Sequence, residues 1–149
     1  MTTVVLMRHG HALPSEADPE RGLSERGRRE AGAVADRLAA DGVRVELVFH
    51  SGKKRAFETA GVLSRTIASG VPPLRRTGLE PHDDVSDIAG DLASTDVDTA
   101  VVGHIPHLEY LLARLLRRRP VQTFGTGNAA RLRREGSVWT LAGFYAPSR

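Results

Sequence analysis

Apolar residues in this chain alternate between unbroken runs and helix-spaced rows. Val4, Val5, Leu6 and Met7 form a continuous run, the pattern of a strand covered on both faces. A polar stretch from Gly10 to Gly22, with Pro14 and Pro19, reads as a loop. Ser24 then stands as an N-cap. Ala31, Val34, Ala35 and Leu38 follow at i, i+3, i+4 and i+7, one face of a helix closed by Gly42. Val43, Val45, Leu47, Val48 and Phe49 predict a second strand. Ser51 is the expected cap of a second helix whose inner face is Ala56, Thr59, Ala60, Leu63 and Ile67. Gly70, Pro72 and Pro73 break the chain before a short strand from Leu74 to Thr77, and Asp83 or Asp84 is read as the cap of a helix carrying Val85, Ile88 and Leu92. Thr99 to Val102 predict another buried strand, ending at Gly103. Pro106 suits the first turn of a leucine-striped helix through Leu108, Leu111, Leu112, Leu115 and Leu116. Ala129 to Arg133 and Val138 to Phe144 predict two closing strands, with Gly127-Asn128 as a turn and Trp139 in the core.

Strands alternating with helices predict an α/β fold, a three-layer α/β/α sandwich with a largely parallel central sheet. The last two strands are candidates for antiparallel members. The length of 149 residues fits one domain, expected to span 1–149.

Composition narrows the chemistry. With 40% apolar and 26% charged residues the chain is ordinary for a globular protein. Absence of cysteine excludes disulfides, thiolate metal sites and cysteine nucleophiles. No apolar run approaches a membrane span and no secretory signal is evident, so a cytoplasmic protein without membrane contact is expected. The net charge of +3 is mild, but Lys53 and Lys54 are the only lysines. Arginine suits bidentate gripping of oxyanions, which points to phosphate or carboxylate ligands; a bias toward Arg throughout the source proteome explains the excess equally well. Nucleic acid is not an expected partner, because aromatics are only 5% and the arginines are spread over several elements.

In open α/β sheets ligands bind beyond the carboxyl ends of the strands. Strand one ends in Arg8-His9-Gly10-His11. The second ends in His50-Ser51, with Arg55 one turn into the next helix, and a later one ends in Gly103-His104. Two arginines and two histidines at one sheet edge suit a dianionic tetrahedral group.

These segments carry a resemblance. The chain resembles the histidine phosphatase superfamily, the phosphoglycerate mutase-like group, and within it the small SixA-type phosphohistidine phosphatase branch. Arg8-His9-Gly10 matches the signature triplet. Leu23-Ser24-Glu25-Arg26-Gly27 is similar to the first-helix pattern. Ser51, Arg55-Ala56 and Glu58-Thr59-Ala60 look like the second arginine segment, and Val101-Val102-Gly103-His104 with Pro106 and Leu108 looks like the second histidine segment. Ile105 replaces a frequent Asn, and Gly52-Lys53-Lys54 replaces a Pro-containing run; both departures bear on the rim.

The resemblance implies a phosphoglycerate mutase-like fold, here without large cap insertions. It also implies a metal-independent phosphatase with His9 as nucleophile and a phosphohistidine intermediate. Arg8, Arg55 and His104 complete the expected catalytic group. A neutral imidazole is a competent nucleophile, and neighbouring guanidiniums disfavour its protonation and stabilise phosphoryl oxygens. Glu80 is the candidate general acid, with Asp83 and Asp84 as competitors. Arg21, His11 and Ser51 are candidates for binding substrate at the rim. No metal and no cofactor are expected; His9 and His11 alternate in direction if the strand continues, and no ligand cluster accompanies them. The expected partner is a phosphorylated protein bearing phosphohistidine or a small phosphoester. A small-molecule phosphomonoesterase is the alternative, and a non-catalytic phosphoprotein-binding module a further one. Oligomeric state is left open.

Overall fold

The computed structural model describes residues 1–147. Ten elements follow in order: β1 (Thr2–Arg8), α1 (Glu25–Ala40), β2 (Leu47–His50), α2 (Lys54–Ile67), β3 (Leu74–Arg75), α3 (Ser86–Ser94), β4 (Thr99–Gly103), α4 (His107–Leu116), β5 (Ala129–Glu135) and β6 (Val138–Tyr145). They build one sheet of order β3-β2-β4-β1-β5-β6. β1, β2, β3 and β4 pair in parallel, while β5 and β6 join antiparallel, as the sequence pattern suggested.

The alternation of β1 sorts the two faces. Val5 and Met7 pack with Ala31, Val34, Ala35 and Leu38 of α1 and with Ala56, Ala60, Leu63 and Ile67 of α2. Val4 and Leu6 pack on the other face with Ile88 and Leu92 of α3 and Leu108, Leu111, Leu112 and Leu115 of α4. Successive strand residues point to opposite faces, so a strand between two helical layers must be apolar at every position. The fold is a three-layer α/β/α sandwich.

Register sets the site. Arg8 lies opposite Gly103 in the β1–β4 pairing, and His50 lies opposite Val102 in the β2–β4 pairing. Three strands therefore end at the same level, and residues 9–24, 51–53 and 104–106 leave from one edge.

Local differences have identifiable causes. Ser24 caps α1 as expected, its Oγ accepting the Gly27 N–H at 3.0 Å. Ser51 does not cap α2: the helix starts at Lys54 with Lys53 in the cap position, and the Ser51 hydroxyl is engaged elsewhere. Val43 and Val45 are buried but precede β2. The Val45 N–H donates to Ile67 O instead of to a neighbouring strand. Asp84 accepts the Ser86 N–H at 2.6 Å at the start of α3, whereas Asp83 turns back to the Glu80 N–H at 2.9 Å. Trp139 is half-buried, with the Arg134 guanidinium 5.9 Å from its ring. No helix among the described residues is long and apolar enough to cross a membrane.

Candidate active site

His9 follows β1 directly at the sheet edge. It is 8% exposed, and its backbone N–H donates to Gly103 O at 3.0 Å. Its Nδ1 lies 2.7 Å from the carbonyl oxygen of Gly10. A carbonyl can only accept, so Nδ1 carries the proton and Nε2 keeps the lone pair. Burial lowers the His9 pKa to about 4; Arg55, Arg8 and Arg21 push the same way, against the Gly10 bond. The imidazole is thus neutral near pH 7, with Nε2 free.

The Gly10 carbonyl is itself held. The Gly10 N–H donates to Thr59 Oγ1 at 3.0 Å, and Thr59 Oγ1 donates to Arg55 O at 2.8 Å. The N-terminal turns of α2 thereby connect to the residue that orients His9. Close packing continues at Gly27, where a Cβ would lie 2.1 Å from His11 O. Only glycine lets α1 approach the β1 loop this closely.

His104 stands beside His9, ring centroids 5.1 Å apart. Its Nε2 shares a 2.7 Å hydrogen bond with Ser51 Oγ, both residues being buried. Burial, then His9, Arg55, Lys53 and Arg8, lower the His104 pKa to about 3.

Two guanidiniums complete the cluster. Arg8 Nη1 donates to Phe124 O at 3.0 Å, and Arg8 Nε is buried without a protein partner among the described residues. Burial lowers the Arg8 pKa, opposed by Glu109. For Arg55, burial lowers the pKa, assisted by Arg21 and Arg8 and opposed by Glu80. An arginine starting from so high a value stays charged under ordinary conditions.

The remaining sequence candidates separate. Arg21 is exposed, in a left-handed conformation with φ 52°, and its charge is felt at both His9 and Arg55. Asp18 shapes this bend: its carboxylate accepts the Gly22 N–H at 2.8 Å and the Glu20 N–H at 3.1 Å, and pairs with Lys54 Nζ at 2.9 Å. Glu80 pairs loosely with Lys53 Nζ at 3.8 Å through Oε1, an atom buried without a hydrogen-bond partner among the described residues. Ser51 is 5% exposed, and its Oγ is bonded to His104 Nε2 at 2.7 Å. His11 is half-buried, and its Nδ1 is bonded to Ser24 Oγ at 2.7 Å, at the α1 cap. Asp83 and Asp84, the rival acids, are occupied by backbone N–H groups.

Sequence reasoning missed Thr59, Lys53 and the segment around Phe124 and Asn128. Thr59 did give a signal, a hydroxyl on an otherwise apolar helix face. The Phe124 segment gave none, because it lacks periodicity.

Among the described residues no group of three or more His, Asp or Glu is arranged to hold a metal. A tetrahedral anion is the ligand this geometry suits: two guanidiniums and two imidazoles lie together at the sheet edge, with Glu109 acting on Arg8 and Glu80 on Arg55 as opposing charges.

The family description of the histidine phosphatase superfamily (branch 1) matches residues 4–81. The chain belongs to this superfamily. Membership makes it a phosphatase by family. Among solved structures it is similar to the protein histidine phosphatase SixA complexed with tungstate. The identity is 26% over 98% of this chain and 97% of that one, with a TM-score of 0.84. A protein from Agrobacterium tumefaciens assigned as phosphohistidine phosphatase SixA is 28% identical, with 99% of each chain covered and a TM-score of 0.80. A mycobacterial glucosyl-3-phosphoglycerate phosphatase shares the fold at 20% identity and a TM-score of 0.74, over 99% of this chain and 100% of that one. No curated protein sequence matches significantly.

Proposed function

We propose that this histidine phosphatase is a single-domain protein phosphohistidine phosphatase, working without a metal through a covalent intermediate on His9. The observation that carries the reading is the tautomer of His9, locked by the Gly10 carbonyl among Arg8, Arg55 and His104. Nε2 attacks phosphorus with its lone pair, and the bond from phosphorus to the substrate's imidazole nitrogen breaks. That imidazole leaves with a proton taken from solvent or from Glu80. Water then attacks phosphorus, the bond to His9 Nε2 breaks, and inorganic phosphate departs. Arg8 and Arg55 offset the charge on the phosphoryl oxygens in both steps, the electrostatic task a metal would otherwise perform. His104 gains a proton more readily once a dianion is bound and then donates to it. Arg21 reaches the outer oxygens.

Likeness to SixA, solved in complex with tungstate, supports a tetrahedral oxyanion as the ligand. Connections of residues 9–24, 51–53, 76–85 and 104–106 hold no inserted element longer than a turn or bridge, which suits a phosphorylated residue on a protein surface.

A second reading, a small-molecule phosphomonoesterase, is favoured by one observation. Glu80 offers a carboxyl oxygen without a hydrogen-bond partner, the group an alkoxide leaving group requires. Turnover of a histidine-phosphorylated peptide, compared with a panel of phosphomonoesters, separates the two. Preference for the peptide, abolished in His9→Ala, is expected; equal or better turnover of the monoesters would overturn the first reading.

A further inference from the structure

Between α4 and β5 the chain has no regular structure, yet it grips the nucleophile's strand end. The Arg8 N–H donates to Asn128 O at 2.9 Å, and the Gly127 N–H is shared between Arg8 O at 3.2 Å and His9 O at 3.0 Å. Arg8 Nη1 reaches the Phe124 carbonyl. That carbonyl is the one protein acceptor for this side chain among the described residues, so it fixes where the guanidinium points.

Phe124 is itself pinned. It is 2% exposed, with its ring edge-on to Phe144 at 5.3 Å. Its N–H donates to Glu109 Oε2 at 3.1 Å. Glu109 lies half-buried in the first turn of α4, the helix that begins three residues after His104. The negative charge of Glu109 is felt at Arg8, although no hydrogen bond joins the two side chains.

We infer that Glu109 is a positioning residue for Arg8: by accepting the Phe124 N–H, it holds the carbonyl that aims the guanidinium at the phosphoryl group. The inference rests on Arg8 binding that group, as proposed above. The indirect route has a chemical advantage. A carboxylate in contact with Arg8 would compete with substrate oxygens for its donors. One residue removed, it compensates the half-buried charge and leaves those donors open. It also ties Arg8 to the helix that follows His104, so one rigid element registers two groups of the site.

Inhibition by inorganic orthovanadate, a phosphate-like oxyanion, reads Arg8 placement at equilibrium. Glu109→Ala is expected to raise the vanadate inhibition constant about tenfold and to lower kcat/KM at least as much. Glu109→Gln keeps an acceptor oxygen and is expected to recover most of the loss. In an Arg8→Ala background, Glu109→Ala is expected to change the vanadate constant less than about twofold, because the two residues act through one chain of contacts. Equal losses in both backgrounds, or no loss in Glu109→Ala alone, would overturn the inference. Where Glu109→Ala does not fold, the same comparison is made with Glu109→Gln, whose smaller loss must also vanish when Arg8 is absent. Arg8→Ala alone tests the underlying reading, since unchanged vanadate inhibition there would refute the role of Arg8 and not merely that of Glu109.

Discussion

Ser51 Oγ lies 2.7 Å from His104 Nε2, and this bond joins the end of β2 to the end of β4. It fixes the rotation of an imidazole whose aromatic neighbour is His9. Ser51→Ala leaves that nitrogen buried and unpaired. The expected result is a fall in kcat of about tenfold with a modest loss of Tm, since one buried hydrogen bond is lost at the site. Steady-state kinetics beside a thermal melt checks it; unchanged kcat would mean that His104 orientation does not depend on Ser51.

The depressed histidines make stability depend on pH. His9 at about 4 and His104 at about 3 are neutral in the folded protein at pH values where an unfolded histidine, near 6.5, becomes charged. Unfolding then takes up protons, so the stability present above pH 6.5 is lost as pH falls toward 4 and then 3. Tm is expected to fall across that window, and less steeply in His104→Gln. A melt series at matched ionic strength measures it, and identical slopes for the two proteins would contradict the assignment.

Gly27→Ala is expected to disturb His9 from a distance. The added methyl would stand 2.1 Å from His11 O, so either α1 or the loop after His9 must move. A cost of about 2 kcal/mol is anticipated from such overpacking, together with reduced activity. Urea unfolding and vanadate inhibition report the two effects separately.

Asp18 offers a test confined to the loop. Its pKa is lowered to about 2, first by the Gly22 N–H and then by Lys54. The carboxylate contacts are therefore complete above the ordinary value near 3.8 and are lost only as pH falls through about 2. Asp18→Ala is expected to loosen the bend that carries Arg21, raising KM several-fold while kcat changes less. Equal KM values in variant and parent would show that Arg21 does not meet substrate.

Much of this architecture was legible in the sequence. The run Val4–Met7 and the row Leu108–Leu115 could only be a doubly covered strand and a helix lying on it. The histidines at the ends of β1 and β4 followed from that placement. Two kinds of feature were not legible. Ser51 looked like a helix cap because a hydroxyl before a helix usually is one; here His104 takes the hydroxyl, from 53 positions away. The hold of Phe124 on Arg8 spans 116 positions and has no local pattern at all. Val43 and Val45 misled in the opposite sense, since burial without a strand neighbour leaves the same apolar signature as a strand.

The Gly10 carbonyl that orients His9 carries no formal charge. A carboxylate in its place would make the imidazole a stronger base and its bond to phosphorus harder to break. With a neutral acceptor and a crowd of cations, His9 is a weakly basic nitrogen, and such a nitrogen is a good leaving group. In the mechanism proposed above, the group that accepts the phosphoryl must also give it up to water. A site built in this way favours discharge over storage, which marks the difference between a hydrolase and a phosphoryl carrier.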